Sequence, residues 1–210
     1  MNLIVSSPCA GRTWTLSILK DCKVKCNYSH VGSQHSNPIS IEKIEQHITG
    51  RYDNDNIVCI YRDIKDHMVS KYFHCIKRVK LNFDSISDFI RDDIHGTEKL
   101  IRFNLAWRKI PTVKFISYEE LVNNALYNVK QLISFFGYEL DNSIIDQAIT
   151  NNLFQVVQAR EIEVYGGIDP EALKARRGII GGYVDYLSQE DIQYIDNLVL
   201  KYDYINRMNA

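Results

Sequence analysis

The stretch at residues 2–15, NLIVSSPCAGRTWT, passes from an apolar, β-branched run through a turn of small residues into the start of a helix. Leu3-Ile4-Val5 reads as the centre of a strand over 2–7, and a helix is expected over 13–21. A strand that feeds a helix through such a turn directs free backbone N–H groups, and the positive end of the helix, at one place above the sheet. Gly11 lets the backbone approach a ligand closely, Arg12 offers a forked donor, Thr13 a hydroxyl and Trp14 an aromatic face. The turn also carries Cys9 and no lysine, so it is not the G-x-x-x-x-G-K-S/T loop of nucleoside triphosphatases.

The same alternation continues along the chain. KVKCNYS (23–29) is a second strand candidate, followed by the polar loop HVGSQHSNP and a helix over 40–49. NIVCIYR (56–62) is a third strand leading into a helix over 64–79, and helical stretches follow through 84–109 with a break at Gly96. TVKFISY (112–118) is a fourth strand, with a helix over 119–136. Beyond Gly137 the pattern is helical or irregular, and a Gly- and Arg-rich loop, ARRGIIGGY (175–183), precedes a last helix over 188–203. Strands alternating with helices imply an α/β class with a parallel sheet and helices on both faces. Without a linker or repeat, the expectation is one domain over 1–210. In such sheets ligands gather at the carboxyl ends of the strands, which singles out the opening loop, Ser29-His30, Tyr61-Arg62 and Ser117-Tyr118.

Composition narrows the partners. The chain has 210 residues, 45% hydrophobic and 24% charged, with a net charge of −1, which argues against nucleic acid or a membrane surface as a bulk electrostatic partner. A local cationic pocket remains compatible with that balance. No apolar run approaches the roughly 20 residues of a membrane span, and no basic segment precedes the first apolar residues, so a cytoplasmic chain without membrane insertion is expected. The five cysteines are too few and odd in number for a disulfide framework. Cys22 and Cys26 have the spacing of half a zinc site, but no second pair follows, so free thiols and no metal are expected.

Four separated segments carry chemistry. The first is the opening loop. The second is His30 at a strand end, a residue type suited to general base catalysis and also common as a solvated loop residue; His35 shares the ambiguity. The third, YRDIKDHMVSKYFH (61–74), places Arg62 at a strand end and Ser70 within the next helix. Those two can share a ligand only if the chain folds back at 63–65. The same segment also reads as a charged helix whose Lys65, Asp66 and Lys71 are solvated. The fourth, RRGIIGG (176–182), sets two arginines beside a glycine, an arrangement found both in anion-binding loops and in basic surface turns.

Taken in order, the segments resemble the sulfotransferase family, which uses 3′-phosphoadenosine-5′-phosphosulfate (PAPS) as sulfuryl donor. The family's Y-P-K-S-G-T-T-W loop is similar to Ser7-Pro8-Cys9-Ala10-Gly11-Arg12-Thr13-Trp14, and its T-H element to Ser29-His30. Its R-N-P-K-D-x-x-x-S motif resembles Arg62-Asp63-Ile64-Lys65-Asp66 with Ser70. Tyr118-Glu119-Glu120-Leu121 resembles Y-E-D-L, and Arg176 to Tyr183 resembles R-K-G-x-x-G-D-W. The resemblance implies a P-loop-like three-layer fold, with a central parallel sheet flanked by helices. It implies that Cys9, Ala10, Gly11, Arg12 and Thr13 hold the 5′-phosphosulfate, and that Trp14 packs on adenine with Tyr118 and Phe154. Arg62, Ser70, Arg176, Arg177 and Gly178 would bind the 3′-phosphate. His30 would act as catalytic base, with Arg12 beside it, toward a hydroxyl or amine of a small-molecule or glycan acceptor.

Two departures stand out. Cys9 occupies the place of the family's loop cation, and losing one such donor typically costs on the order of 10²–10³ in rate. Arg12 is the residue placed to compensate. Tyr28 replaces the lysine that often precedes T-H. The short chain suggests a compact bacterial-type member. A nucleotide-binding relative with weak or no transfer activity, and a small-molecule kinase of another P-loop-like type, are the alternatives. A neutral thiol is expected at Cys9, and oligomeric state stays open.

Overall fold

A computed structural model describes residues 1–31, 39–48, 52, 55–165 and 169–209. His35 lies outside the described residues. In chain order the elements are β1 (Asn2–Val5), α1 (Arg12–Asp21), β2 (Asn27–Ser29), α2 (Ile41–Ile48), β3 (Asn56–Tyr61) and α3 (Ile64–Phe73). A π-helical turn (His74–Val79) follows, then α4 (Ile86–Arg91), α5 (Thr97–Arg108), β4 (Lys114–Ser117), α6 (Tyr118–Asn123) and α7 (Ala125–Phe135). The chain ends with α8 (Asn142–Asn151), α9 (Phe154–Tyr165), two short 3₁₀ turns, α10 (Gln189–Lys201) and α11 (Tyr204–Asn209).

All four strands pair in parallel in the order β2-β1-β3-β4. Strand alternation divides the apolar residues between two faces. Ile4, Val58, Ile60 and Ile116 pack with Ile18, Leu132 and Ile145 of α1, α7 and α8, whereas Leu3, Val5, Ile57 and Cys59 pack with Ile44 of α2 and Phe103 and Trp107 of α5. The sheet is therefore the middle of three layers, and the apolar run of β3 is buried on both sides, as a central parallel strand requires. A third apolar cluster joins α3, α4, α5, α10 and α11 through Met68, Phe89, Ile101 and Ile195. Within 80–109, Phe89, Phe103 and Trp107 are core and Phe83 is half-buried against Phe89.

Three elements differ from the sequence expectation, each for a local reason. The second strand is confined to 27–29, because the first helix is closed by N–H bonds from Cys22, Lys23 and Val24 to Ile18, Lys20 and Leu19, with Lys23 at φ 58. The helix expected over 64–79 widens at His74, where Leu81 N–H reaches the Cys75 carbonyl. The helix expected over 119–136 breaks at Asn124 (φ −141°), where Asn128 Nδ2 donates to the Asn124 carbonyl and to the Glu120 carbonyl, which also accepts from Asn124 N.

Order reverses at β1, since α1 leads to β2 on one side while the chain returns to β3 on the other. That switch point is where an open α/β sheet forms its cleft. The loop after β4 is fixed by a capping box: Ser117 Oγ accepts from Glu120 N at 3.1 Å, and the Glu120 carboxylate accepts from Ser117 N at 2.8 Å. The cap sets the direction of Tyr118, the first residue of α6. Ser117→Ala is expected to lower the free energy of unfolding by about 1 kcal/mol, measured by urea denaturation.

Candidate active site

The loop between β1 and α1 lies over the switch point, and its backbone is unusual at two residues: Cys9 has φ 73 and Gly11 φ 95. At Gly11 a side chain would run into the Tyr118 ring, so the glycine is needed both for its conformation and for the close approach. Trp14, on the first turn of α1, meets Tyr118 edge-on at 6.5 Å between ring centres and donates from Nε1 to the Asn152 carbonyl at 2.6 Å. Two residues beyond Asn152, Phe154 packs against Gly178, where a Cβ would lie 2.6 Å from Cδ2 of the ring. Trp14, Tyr118, Phe154 and Gly178 are thus linked across four segments.

His30 follows β2 and is half-buried. Its Nδ1 lies 2.9 Å from the Ser6 carbonyl and its Nε2 lies 2.7 Å from Nη2 of Arg12. A carbonyl can only accept and a guanidinium can only donate. The proton is therefore on Nδ1, and Nε2 presents its lone pair to Arg12. Burial first, and then the Arg12 charge, bring the His30 pKa down to about 4, so the ring is neutral at pH 7. Arg12 stacks over Tyr28 at 4.8 Å, and its Nε and Nη1 are buried without a hydrogen-bond partner among the described residues. Two buried guanidinium nitrogens of the half-buried Arg12 therefore stand beside an unprotonated imidazole nitrogen.

Arg62 leaves β3 and stacks at 4.7 Å over Tyr118; its Nε is 3.9 Å from Glu119, too far for a hydrogen bond, and has no other partner. Ser70 touches the Cys9 thiol. Burial pushes that thiol up to about 11, against the opposing charges of Lys71 and Arg62, so Cys9 is neutral as expected. The fold-back at 63–65 is an N-cap: Asp63 accepts from Asp66 N at 3.0 Å and starts α3 directly after Arg62.

The basic loop is held from both ends. Gln158 and Glu161 of α9 bind the backbone at 174–176, with Glu161 accepting from Ala175 N at 2.8 Å. Asp66 accepts from Gly181 N at 2.6 Å and Tyr183 N at 3.0 Å. Both arginines are turned to neighbours inside this region. Arg176 bonds Glu171 at 3.0 Å and the Tyr186 hydroxyl at 2.8 Å over the face of Phe73, and Arg177 pairs with Asp185 at 2.7 Å.

The solvated-face reading of α3 is corrected by burial. Asp66 is 3% exposed and Lys71 is 2% exposed. Lys65 pairs with Asp196 at 2.6 Å and lies over Tyr183. His67, missed by the sequence reading, is wholly buried and donates from Nε2 to the Pro8 carbonyl at 2.6 Å. The signal that could have found these residues is helical spacing, since Asp66 and His67 precede Ser70 by one turn.

Among the described residues no cluster of three or more His, Cys, Asp or Glu side chains could hold a metal ion, and no helix is long and apolar enough to cross a membrane. The five cysteines are free.

A sulfotransferase domain model matches residues 52–202. The chain belongs to the sulfotransferase family. It is 30% identical over 148 residues to mouse (Mus musculus) sulfotransferase 6B1, covering 67% of this chain and 48% of that one. It is 28% identical over 174 residues to flavonol 3-sulfotransferase of Flaveria bidentis, covering 72% of this chain and 55% of that one. The chain thus spans about half the length of the curated relatives it matches. Among solved structures, mouse sulfotransferase SULT7A1 complexed with PAP superposes with a TM-score of 0.69 at 16% identity, over 96% of this chain and 82% of that one. Retinol dehydratase in complex with retinol and PAP gives 0.70 at 15% identity, over 95% and 80%. The sulfotransferase fold is therefore shared almost end to end. The family match begins at residue 52, after the opening loop and His30.

Neutral histidines in the folded state leave a pH signature. His30 and His74 are brought down to about 4 and His67 to about 3, in each case chiefly by burial, from an ordinary value of 6.5. Below that ordinary value the unfolded chain binds protons that the folded chain refuses, so stability is full above pH 6.5 and falls as pH drops toward 4. Urea unfolding at a series of pH values should show this decline, and His67→Gln should make it shallower by about one proton.

Proposed function

We propose that the chain transfers a sulfuryl group from PAPS to a hydroxyl or amine of a small-molecule or glycan acceptor. The observation that carries this reading is the pair formed by Nε2 of His30, unprotonated and neutral, and the Arg12 guanidinium 2.7 Å away, with Nε and Nη1 unpartnered among the described residues. A base and an anion donor side by side at the mouth of a parallel sheet suit transfer of an anionic group to a nucleophile that must lose a proton. Family membership and the PAP bound in two structural neighbours support PAPS as donor. The flavonol in one relative's name supports a small-molecule acceptor. Free thiols throughout support a cytoplasmic setting.

In this reading the acceptor oxygen or nitrogen attacks sulfur, the bond from sulfur to the 5′-phosphate oxygen breaks, and the acceptor's proton passes to Nε2 of His30. The products are a sulfate ester or sulfamate and adenosine 3′,5′-bisphosphate. Loop N–H groups from Cys9 to Thr13 and the free N–H groups of Arg12 receive the negative charge that builds on the leaving phosphate. When Arg12 turns to that anion it leaves Nε2, so arrival of the donor frees the base. Trp14, Tyr118 and Phe154 would flank the adenine, while Arg62, Ser70 and Gly178 take the 3′-phosphate. Arg176 and Arg177 join them by exchanging their Glu171 and Asp185 partners for it.

A second reading, nucleotide binding with weak transfer, draws on the neutral thiol at Cys9 where the family's loop carries a cation. Labelled PAPS incubated with a panel of phenols, alcohols, amines and sugars separates the two. Label should pass to at least one acceptor, and its retention on the nucleotide throughout, despite bisphosphate binding, would favour the second. His30→Ala should lower turnover by about 10²–10³ with unchanged bisphosphate affinity, whereas Arg62→Ala should weaken that affinity, measured by calorimetry.

A further inference from the structure

Helix α3 passes beneath the opening loop and presents three side chains to it. His67 holds the Pro8 carbonyl, Ser70 touches the Cys9 thiol, and Lys71 lies one turn beyond His67 on the same face. Lys71 is 2% exposed, yet among the described residues it forms no ion pair and uses one N–H, donated to the His95 carbonyl at 2.6 Å. Its two other N–H groups are without partners. The nearby carboxylate, Asp92, forms no ion pair with it among the described residues; its Oδ1 accepts from Ile94 N at 2.9 Å and His95 N at 2.6 Å. A second lysine on α5, Lys99, is 6% exposed, also lacks an ion pair and repels Lys71.

A buried cation without a counter-ion is a costly feature in a folded chain, and removing it commonly stabilises. Burial, reinforced by Lys99 and partly offset by Cys75, Cys9 and Asp92, brings the Lys71 pKa down to about 8. Such a group recovers its lost solvation when an anion arrives. Of the charges acting on the Cys9 thiol, that of Lys71 is the strongest. Lys71 thus sits on the helix face whose His67 meets Pro8, near the loop residue where the resemblance leads one to expect a cation.

We propose that Lys71 is the anion-binding cation of the opening loop, supplied from helix α3 in place of a loop lysine, and that it binds the 5′-phosphate end of the nucleotide. The inference rests on the reading of the chain as a PAPS-binding protein and assigns within it a residue that the third sequence segment contains but offered only as a solvated charge. It also gives Cys9 a reason: a lysine there would meet the Lys71 charge, and a small neutral thiol does not.

The test is calorimetric titration of the full chain, Lys71→Met and Lys71→Met/Cys9→Lys with adenosine 3′,5′-bisphosphate and adenosine 3′-monophosphate, together with thermal unfolding without ligand. Lys71→Met should bind the bisphosphate roughly ten- to a hundredfold more weakly, bind the 3′-monophosphate as before, and unfold at an equal or higher temperature. The added lysine at position 9 should restore much of the bisphosphate affinity. Unchanged bisphosphate affinity in Lys71→Met would overturn the proposal, as would weakening that extends equally to the 3′-monophosphate or is not recovered by Cys9→Lys. Absence of bisphosphate binding by the unaltered chain would instead remove the PAPS reading on which it rests.

Discussion

Two adjacent residues of one helix hold the two ends of the candidate site in register. The Asp66 carboxylate takes the backbone N–H groups of Gly181 and Tyr183, while the next side chain, His67, donates to the Pro8 carbonyl. The opening loop and the Gly-rich loop lie some 170 positions apart in sequence, at Pro8 and Gly181, and meet only because α3 binds both through buried polar groups. Such bonds are individually modest but expensive to leave half-made, so the helix and both loops are expected to order together. The capping box at Ser117 and the Trp14–Asn152 bond then bring in Tyr118 and Phe154.

The electrostatics of the site are those of a place prepared for negative charge. Among the described residues, Arg12 and Arg62 keep buried N–H groups without partners, and Lys71 keeps a buried ammonium without a paired carboxylate. His30 and His67 are driven neutral chiefly by burial, with the charges of Arg12, Arg62 and Lys71 adding to it, and His74 by burial beside Arg78 and Lys174. Each of these features weakens the folded state on its own and becomes favourable when an anion is bound, which is how binding sites commonly hold strain that the rest of the fold supports. The neutral imidazole and the unsatisfied guanidinium are one arrangement: the cation that lowers the His30 pKa is the cation that a sulfonate would draw away from it.

Much of this was legible in the chain itself. Hydrophobic patterning located β1 and β3, because a central parallel strand is apolar on both faces, and the alternation with helices fixed the α/β class. Three of the four chemical segments were visible at strand ends, and the fourth as a Gly- and Arg-rich loop. The short β2 was overread because KVKCNYS has strand-like composition, while local bonds from Val24 and Lys23 back into α1 claim its first half. The break at Asn124 depends on a side-chain bond from Asn128 that no periodicity shows. Asp66 and Lys71 looked solvated because charged residues usually are; their burial comes from contacts with the loops at Gly181 and His95, distant in sequence. Arg176 and Arg177 were visible as a basic pair, but their present partners, Glu171 and Asp185, follow from how the 3₁₀ turns fold beside them.

The central claim is that this site is built for a nucleotide carrying phosphate at both the 5′ and 3′ positions. The most direct measurement is a competition titration of the unaltered chain at pH 7 with adenosine 3′,5′-bisphosphate, adenosine 5′-monophosphate and ATP with magnesium. The bisphosphate should bind at least about tenfold more tightly than either, since only it satisfies both the opening loop and the Arg62 and Gly178 region at once. Equal affinity for the monophosphate, or a preference for ATP with magnesium, would contradict the claim.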